Sequence, residues 1–282
     1  RWEEAITANT RALEADRRYQ ERRPRQGFYR MYMAHNHHML AFAAMMTGQS
    51  EVALRAIREM VAPLTADVVR ERPFLDGLLA MPFEVLLRFG KWEEVLSEPE
   101  PPLPLSRTLW RYARGVARAA RGELREARAE QAAFAVARKA IAADDAFGNN
   151  SAEAIVAVAE HVLAGEILLK EGAVAAAVEE LRRGVAAEDA LRYDEPPDWI
   201  QPVRHALGAT LLHAGRAAEA EAVYREDLAR APGNVWALVG LARSLRRQDR
   251  ARDAAAVEAE LARAGAKADV ALSSSCLCLP GV

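Results

Sequence analysis

A chain of 282 residues with 38 Lys and Arg against 40 Asp and Glu has a formal net charge of −2. It therefore lacks the basic excess that holds a nucleic-acid backbone. Some 51% of the residues are hydrophobic but only 6% are aromatic, which favours helices packed closely through small side chains, and no stretch of about 18 uncharged apolar residues calls for a membrane span.

The chain opens on Arg1 in mid-pattern rather than on Met, so a signal or further repeats are expected ahead of it, with the cytoplasm as the default compartment. Trp2-Glu3-Glu4-Ala5 echoes Trp92-Glu93-Glu94-Val95, which makes the first helix the second member of a pair whose partner is missing. Residues 31–46 follow, rich in Met and His. His35 and His38 lie on one helical face, near enough to share a metal, and Met45 and Met46 continue that face. The plainer reading is a helix with polar residues toward water and Met filling an irregular core.

Gly48, Gly90, Gly122, Gly172 and Gly215 mark turns between paired helices. Five residues after each stands a small or β-branched side chain: Ala53, Val95, Ala127, Ala177 and Ala220. The spacing of these glycines is irregular, so the array is degenerate. Its insertions are legible as Pro, Asp and Gly punctuation in residues 97–106, 144–150 and 193–202. The first and last of these are expected to be non-helical. In the third, Tyr193 and Trp199 anchor a loop stiffened by two prolines. It reads either as a connection between helix pairs or as a lid that sets Glu195 or Asp198 over a groove.

The clearest unit spans residues 201–234. There Arg204, Leu207, Gly208, Leu211, Ala220, Tyr224 and Pro232 fall on the spacing W-x2-L-G-x2-Y, A-x3-F, P. A second unit, with Leu238, Leu241, Ala242, Leu245, Ala254 and Leu261 at equivalent phases, runs to residue 264. Residues 265–282 form a C-terminal tail containing Cys276 and Cys278. This C-x-C reads as an inert pair at a mobile end or as a distant source of metal ligands.

On these residues the chain resembles tetratricopeptide repeat proteins of the divergent bacterial kind. The resemblance implies an all-α fold: a right-handed superhelical solenoid of antiparallel helix pairs over residues 1–264, with about six pairs after an orphan first helix. It also implies a scaffold or adaptor that binds a peptide or partner protein in the groove lined by the first helix of each pair, and not an enzyme. By the family's phases that groove holds His35, His38, Met45 and Met46, then Glu84 and Arg88, Tyr112, Glu166 and Lys170, and His205, with Glu195 and Trp199 brought in by the loop. Arg243, Arg246 and Arg247 form a basic patch on the last unit. No cofactor is expected on this reading.

The alternative is a metal- or small-ligand-binding groove, possible as a catalytic one, built on His35, His38 and Glu166 with residues 193–199 as lid and zinc or copper as the ion. Cys276 and Cys278 are more remote ligands. No Gly-rich phosphate loop, G-x-S-x-G elbow or nucleophile beside a base is present.

Overall fold

The computed structural model describes residues 1–279, and these are all-helical apart from one two-residue hairpin. Six helix pairs share one kind of turn. They are α2 (Tyr29–Met46) with α3 (Ser50–Val61), α5 (Met81–Arg88) with α6 (Trp92–Ser97), α7 (Pro104–Ala120) with α8 (Leu124–Ala137), α9 (Ala152–Lys170) with α10 (Val174–Asp189), α11 (Val203–His213) with α12 (Ala217–Arg230), and α13 (Val235–Arg247) with α14 (Ala251–Ala264). At each turn the first helix ends on a residue with positive φ: Gly48, Gly90, Gly122, Gly172, Gly215 and, in the last pair, Asp249. That residue donates to a carbonyl in the last helical turn, and its successor reaches one residue further back, as when Gly215 N–H meets Leu212 O and Arg216 N–H meets Leu211 O. The bonds satisfy carbonyls that the helix end leaves open, and the left-handed backbone is why glycine serves there.

Outside the pairs stand α1 (Trp2–Arg22) and a short α4 (Ala66–Glu71). Fourteen α-helices among the described residues thus exceed the expected thirteen or so by α4, which with a 3-10 stretch (Pro73–Ala80) fills the connection from α3 to α5. Pro73 explains the end of α4, since it removes an amide donor and Arg72 before it leaves the helical region, while Pro82 sits in the first turn of α5, where proline is tolerated. Residues 97–106 are helical at both ends. Ser97 closes α6 and Pro104 opens α7, leaving 98–103 irregular; proline is tolerated in a first helical turn. Residues 193–202 are non-helical throughout. Residues 146–151 form the hairpin, in which β1 (Ala146–Phe147) pairs with β2 (Asn150–Ser151).

Apart from α4, which packs on the 3-10 stretch, each helix packs on its neighbours in sequence, α3 on α5 across that connection, and alternate helices also touch, α7 on α9 and α11 on α13. The tightest of these contacts surrounds Tyr224 of α12. A Cβ placed on Gly208 of α11 would lie 2.3 Å from its ring, and one on Gly240 of α13 would lie 2.1 Å from it. Two glycines from successive first helices therefore make the slot that admits one phenol from the helix between them.

The two ends of the array also meet. Trp2 Nε1 donates to Pro232 O at 2.9 Å and Trp236 Nε1 to Met45 O at 2.6 Å, while Lys267 pairs with Glu3 at 2.7 Å. Asp269 caps α3, accepting from Ser50 N and Glu51 N at 2.7 and 2.9 Å, where the helix N-terminus favours negative charge. One hydrophobic cluster extends from Leu13 to Cys278. Residues 270–279 pack into this core, against the expectation that the cysteines stand at a mobile end: Ser274, Ser275, Cys276 and Cys278 are all buried.

Candidate functional site

The first helices of the middle pairs present a buried polar row to the interior. Glu84 and Arg88 lie one turn apart on α5, Tyr112 follows on α7, Glu166 and Lys170 are one turn apart on α9, and His205 is on α11. All but Lys170 are at most 3% exposed. Two segments of the chain itself lie against this row: residues 193–200 and residues 269–279.

The 193–200 loop is held by the hairpin. Asn150 Nδ2 donates to Arg192 O at 3.1 Å and to Asp198 Oδ2 at 2.7 Å, while its Oδ1 accepts from Arg192 N at 2.7 Å. Asn149 adds bonds to Tyr193 O and the Asp194 carboxylate. Gly148, with φ of +56°, is obligatory between them, because a Cβ there would stand 1.9 Å from Asp198 Oδ1. Behind the hairpin Phe147 packs on Gly77, where a Cβ would come within 2.2 Å of its ring. So fixed, the loop sets Trp199 against Tyr112 with ring centroids 5.5 Å apart, and Ile200 N–H donates to Glu84 Oε2 at 3.2 Å. Glu84 Oε1 has no hydrogen-bond partner among the described residues. Burial raises the Glu84 carboxyl to about 8 against the single stabilising Ile200 amide. Asp198 is raised to about 6, again chiefly by burial, with Asn150 opposing.

The 269–279 segment is gripped through its backbone. Arg88 Nη2 donates to Ser275 O at 2.6 Å and Lys170 Nζ to Cys278 O at 2.7 Å. The Ser275 hydroxyl donates to His205 O at 2.8 Å and so accepts from the Tyr224 hydroxyl at 2.7 Å. Arg88 Nη1 also donates to His205 Nδ1 at 2.9 Å, which leaves His205 Nε2 to carry the ring proton and donate to Asp227 Oδ2 at 3.0 Å. Asn234 completes the line by donating to the same oxygen at 2.9 Å. The Arg88 guanidinium stacks 3.9 Å from the centroid of Trp236, an arrangement that stabilises a desolvated cation. Burial pulls the Arg88 pKa down to about 10.

Cys276 and Cys278 close the segment beside α9. Cys276 Sγ lies 3.6 Å from Glu166 Oε1, and Cys278 N–H points to Cys276 Sγ at 3.4 Å. One ligand atom from each of Glu166, Cys276 and Cys278 falls within 4.8 Å of the others. Burial raises the Glu166 carboxyl, with both thiols and Lys170 opposing. The hydrogen bond with Cys276, then burial, pushes the Cys278 thiol well up.

The residues singled out in the sequence thus separate into three groups. Glu84, Tyr112, Glu166, Trp199 and His205 meet around the two inserted segments. Met45 and Met46 are 1% and 2% exposed and pack in the core, with no open groove before them. His35 is exposed and His38 buried, so the two do not present one surface. Neither joins the ligand cluster of Glu166 with the cysteines among the described residues. Burial lowers His38 to about 4, and its Nε2 has no partner among the described residues. Glu195 lies on the outer side of the loop, accepting from the Tyr193 hydroxyl. Of the basic patch, Arg246 pairs with Glu258 at 2.6 Å. His37, on the third face of α2, lines an outer cleft of about 850 Å³ with Met31, Met60, Phe74 and Leu78.

Phase placed Arg88 and Lys170 inside, but nothing local marked them as partners of a backbone more than a hundred residues away. Ser275 carried no sequence signal beyond its place in a run of three serines. No protein-family model and no curated protein matches this chain.

Proposed function

We propose that this protein is a tetratricopeptide-type scaffold, a right-handed superhelical solenoid of helix pairs whose concave side recognises a non-helical peptide. Its resident occupant is its own 269–279 segment. The observation that carries this reading is the pair of long cations, Arg88 and Lys170, that take the carbonyls of Ser275 and Cys278. Side chains that bond to a backbone recognise a strand of peptide as such, and the slot that binds the Ser275 hydroxyl adds selectivity for one residue in it. The repeated glycine turns and the Gly208–Tyr224–Gly240 contact support the repeat assignment.

A partner peptide with a small hydroxylated residue in the Ser275 position would compete with this segment. Competition from within lowers apparent affinity, because the binding-competent state must first shed its occupant. The test is a chain ending at residue 264 titrated with a labelled peptide of residues 265–282. The expected result is saturable binding that is reduced at least tenfold by Arg88→Ala and by omission of the Ser275 hydroxyl. A truncated chain that is unfolded shows the segment to be core rather than ligand, and a folded one that ignores the peptide overturns the reading equally.

A further inference from the structure

We propose that Cys276, Cys278 and Glu166 bind a thiophilic divalent cation, of which zinc(II) is the class, and that the ion fastens the 269–279 segment to α9. The three ligand atoms lie within 4.8 Å of one another, and the Cys276 sulfur and Glu166 oxygen are already 3.6 Å apart. Tetrahedral zinc with bonds of about 2.3 Å to sulfur and about 2.0 Å to carboxylate oxygen sets its ligands about 3.3–3.8 Å apart. A closure of about 1 Å therefore suffices. Two sulfurs and one carboxylate leave a fourth position open, and soft sulfur donors select this kind of ion over magnesium or calcium.

Two cations hold the backbone that carries the sulfurs, Arg88 at Ser275 O and Lys170 at Cys278 O. Arg88 is buried, and its hydrogen bonds go to a His ring and a carbonyl rather than to a carboxylate. Cys278 N–H is directed at the Cys276 sulfur, and such a donor favours a thiolate. On binding, zinc(II) displaces the two thiol protons to solvent and is held by two thiolates and the Glu166 carboxylate. The formal charge left over is a single negative one, faced by Lys170 and Arg88. No oxidation or reduction is involved. Because protons and metal compete for the same sulfurs, affinity falls as the pH is lowered.

The proposal stands on these three side chains whichever peptide the groove accepts. It is tested on the full chain in reducing buffer, with zinc alone as the probe. After unbound metal is removed, elemental analysis is expected to find one zinc per chain, and cobalt(II) in its place is expected to give a thiolate-to-metal charge-transfer band in the near ultraviolet. Both signals should vanish in Cys276→Ser/Cys278→Ser. In Glu166→Gln, a nearly isosteric change that leaves the segment's backbone bonds in place, affinity should fall at least tenfold with helix content unchanged. A parent chain with no stoichiometric metal overturns the proposal, as does a double variant that retains its zinc or a Glu166→Gln chain that binds as the parent does. None of these results bears on whether residues 1–264 bind the 265–282 peptide.

Discussion

The hydroxyls of Tyr224 and Ser275 lie 2.7 Å apart in the protein interior, joining α12 to a segment fifty-one residues further along the chain. The same tyrosine ring fills the slot between Gly208 and Gly240. One side chain therefore serves the stacking of repeats with its ring and the retention of the 269–279 segment with its hydroxyl.

These two roles separate by mutation. Tyr224→Phe keeps the ring and removes one buried hydrogen bond, an expected loss of about 0.5–1.5 kcal/mol in urea unfolding. It should also speed hydrogen exchange at residues 273–276. Gly208→Ala forces a methyl into the ring and is expected to cost about 1–3 kcal/mol, with its disturbance centred on α11 to α13. Equal exchange patterns in the two variants would show that the roles are not separable.

Stability should fall as pH rises from about 6.5 to 8. Burial raises Glu84 and Glu188 to about 8 from an ordinary 4.5, Glu188 in spite of the amide of Val203 that it accepts. The folded state then holds protons that the unfolded state has released. Each group's stabilisation is complete below its unfolded pKa and is lost as pH climbs through the folded one. His38, lowered to about 4 by burial, works in the opposite sense between 4 and 6.5, which is why the upper window leaves it out. The expected slope is up to about 1.4 kcal/mol per pH unit for each. Unfolding free energies at pH 6.5 and 8 check it, and Glu84→Gln and Glu188→Gln should each flatten the profile.

Asn150→Ala removes three hydrogen bonds that bind the hairpin to residues 192 and 198 and leaves the buried Asp198 carboxyl without its principal donor. A cost of about 1–3 kcal/mol is expected for such an orphaned buried group. Exchange should quicken at the amides of Arg192 and Ile200 while those of α13 and α14 stay protected. Uniform loss of protection would mean that the loop is not a local unit.

Much of this molecule was legible in local sequence. The turn glycines, the prolines that break the chain before α7 and α11, and the Gly208, Ala220 and Tyr224 spacing all report interactions within some thirty residues, where helical period and backbone sterics act directly. The same period identified Glu84, Arg88, Tyr112, Glu166, Lys170 and His205 as sharing one side of the helices. It misjudged Met45 and Met46, because phase says which way a side chain faces and not what stands opposite.

What stands opposite was decided by tertiary structure alone. Whether Trp2 reaches Pro232, Trp236 reaches Met45 and Asp269 reaches the start of α3 depends on the rotation summed over all the intervening helix pairs, and no window of sequence contains that sum. Once those contacts enclose the interior, the polar row can no longer be hydrated. Its donors then need partners, and the 193–200 and 269–279 segments supply several of them, since a buried polar group left without a hydrogen bond is costly. The helical period determined which residues face inward. Closure of the array decided that they meet the chain's own backbone and that two cysteines near its end are buried against Glu166.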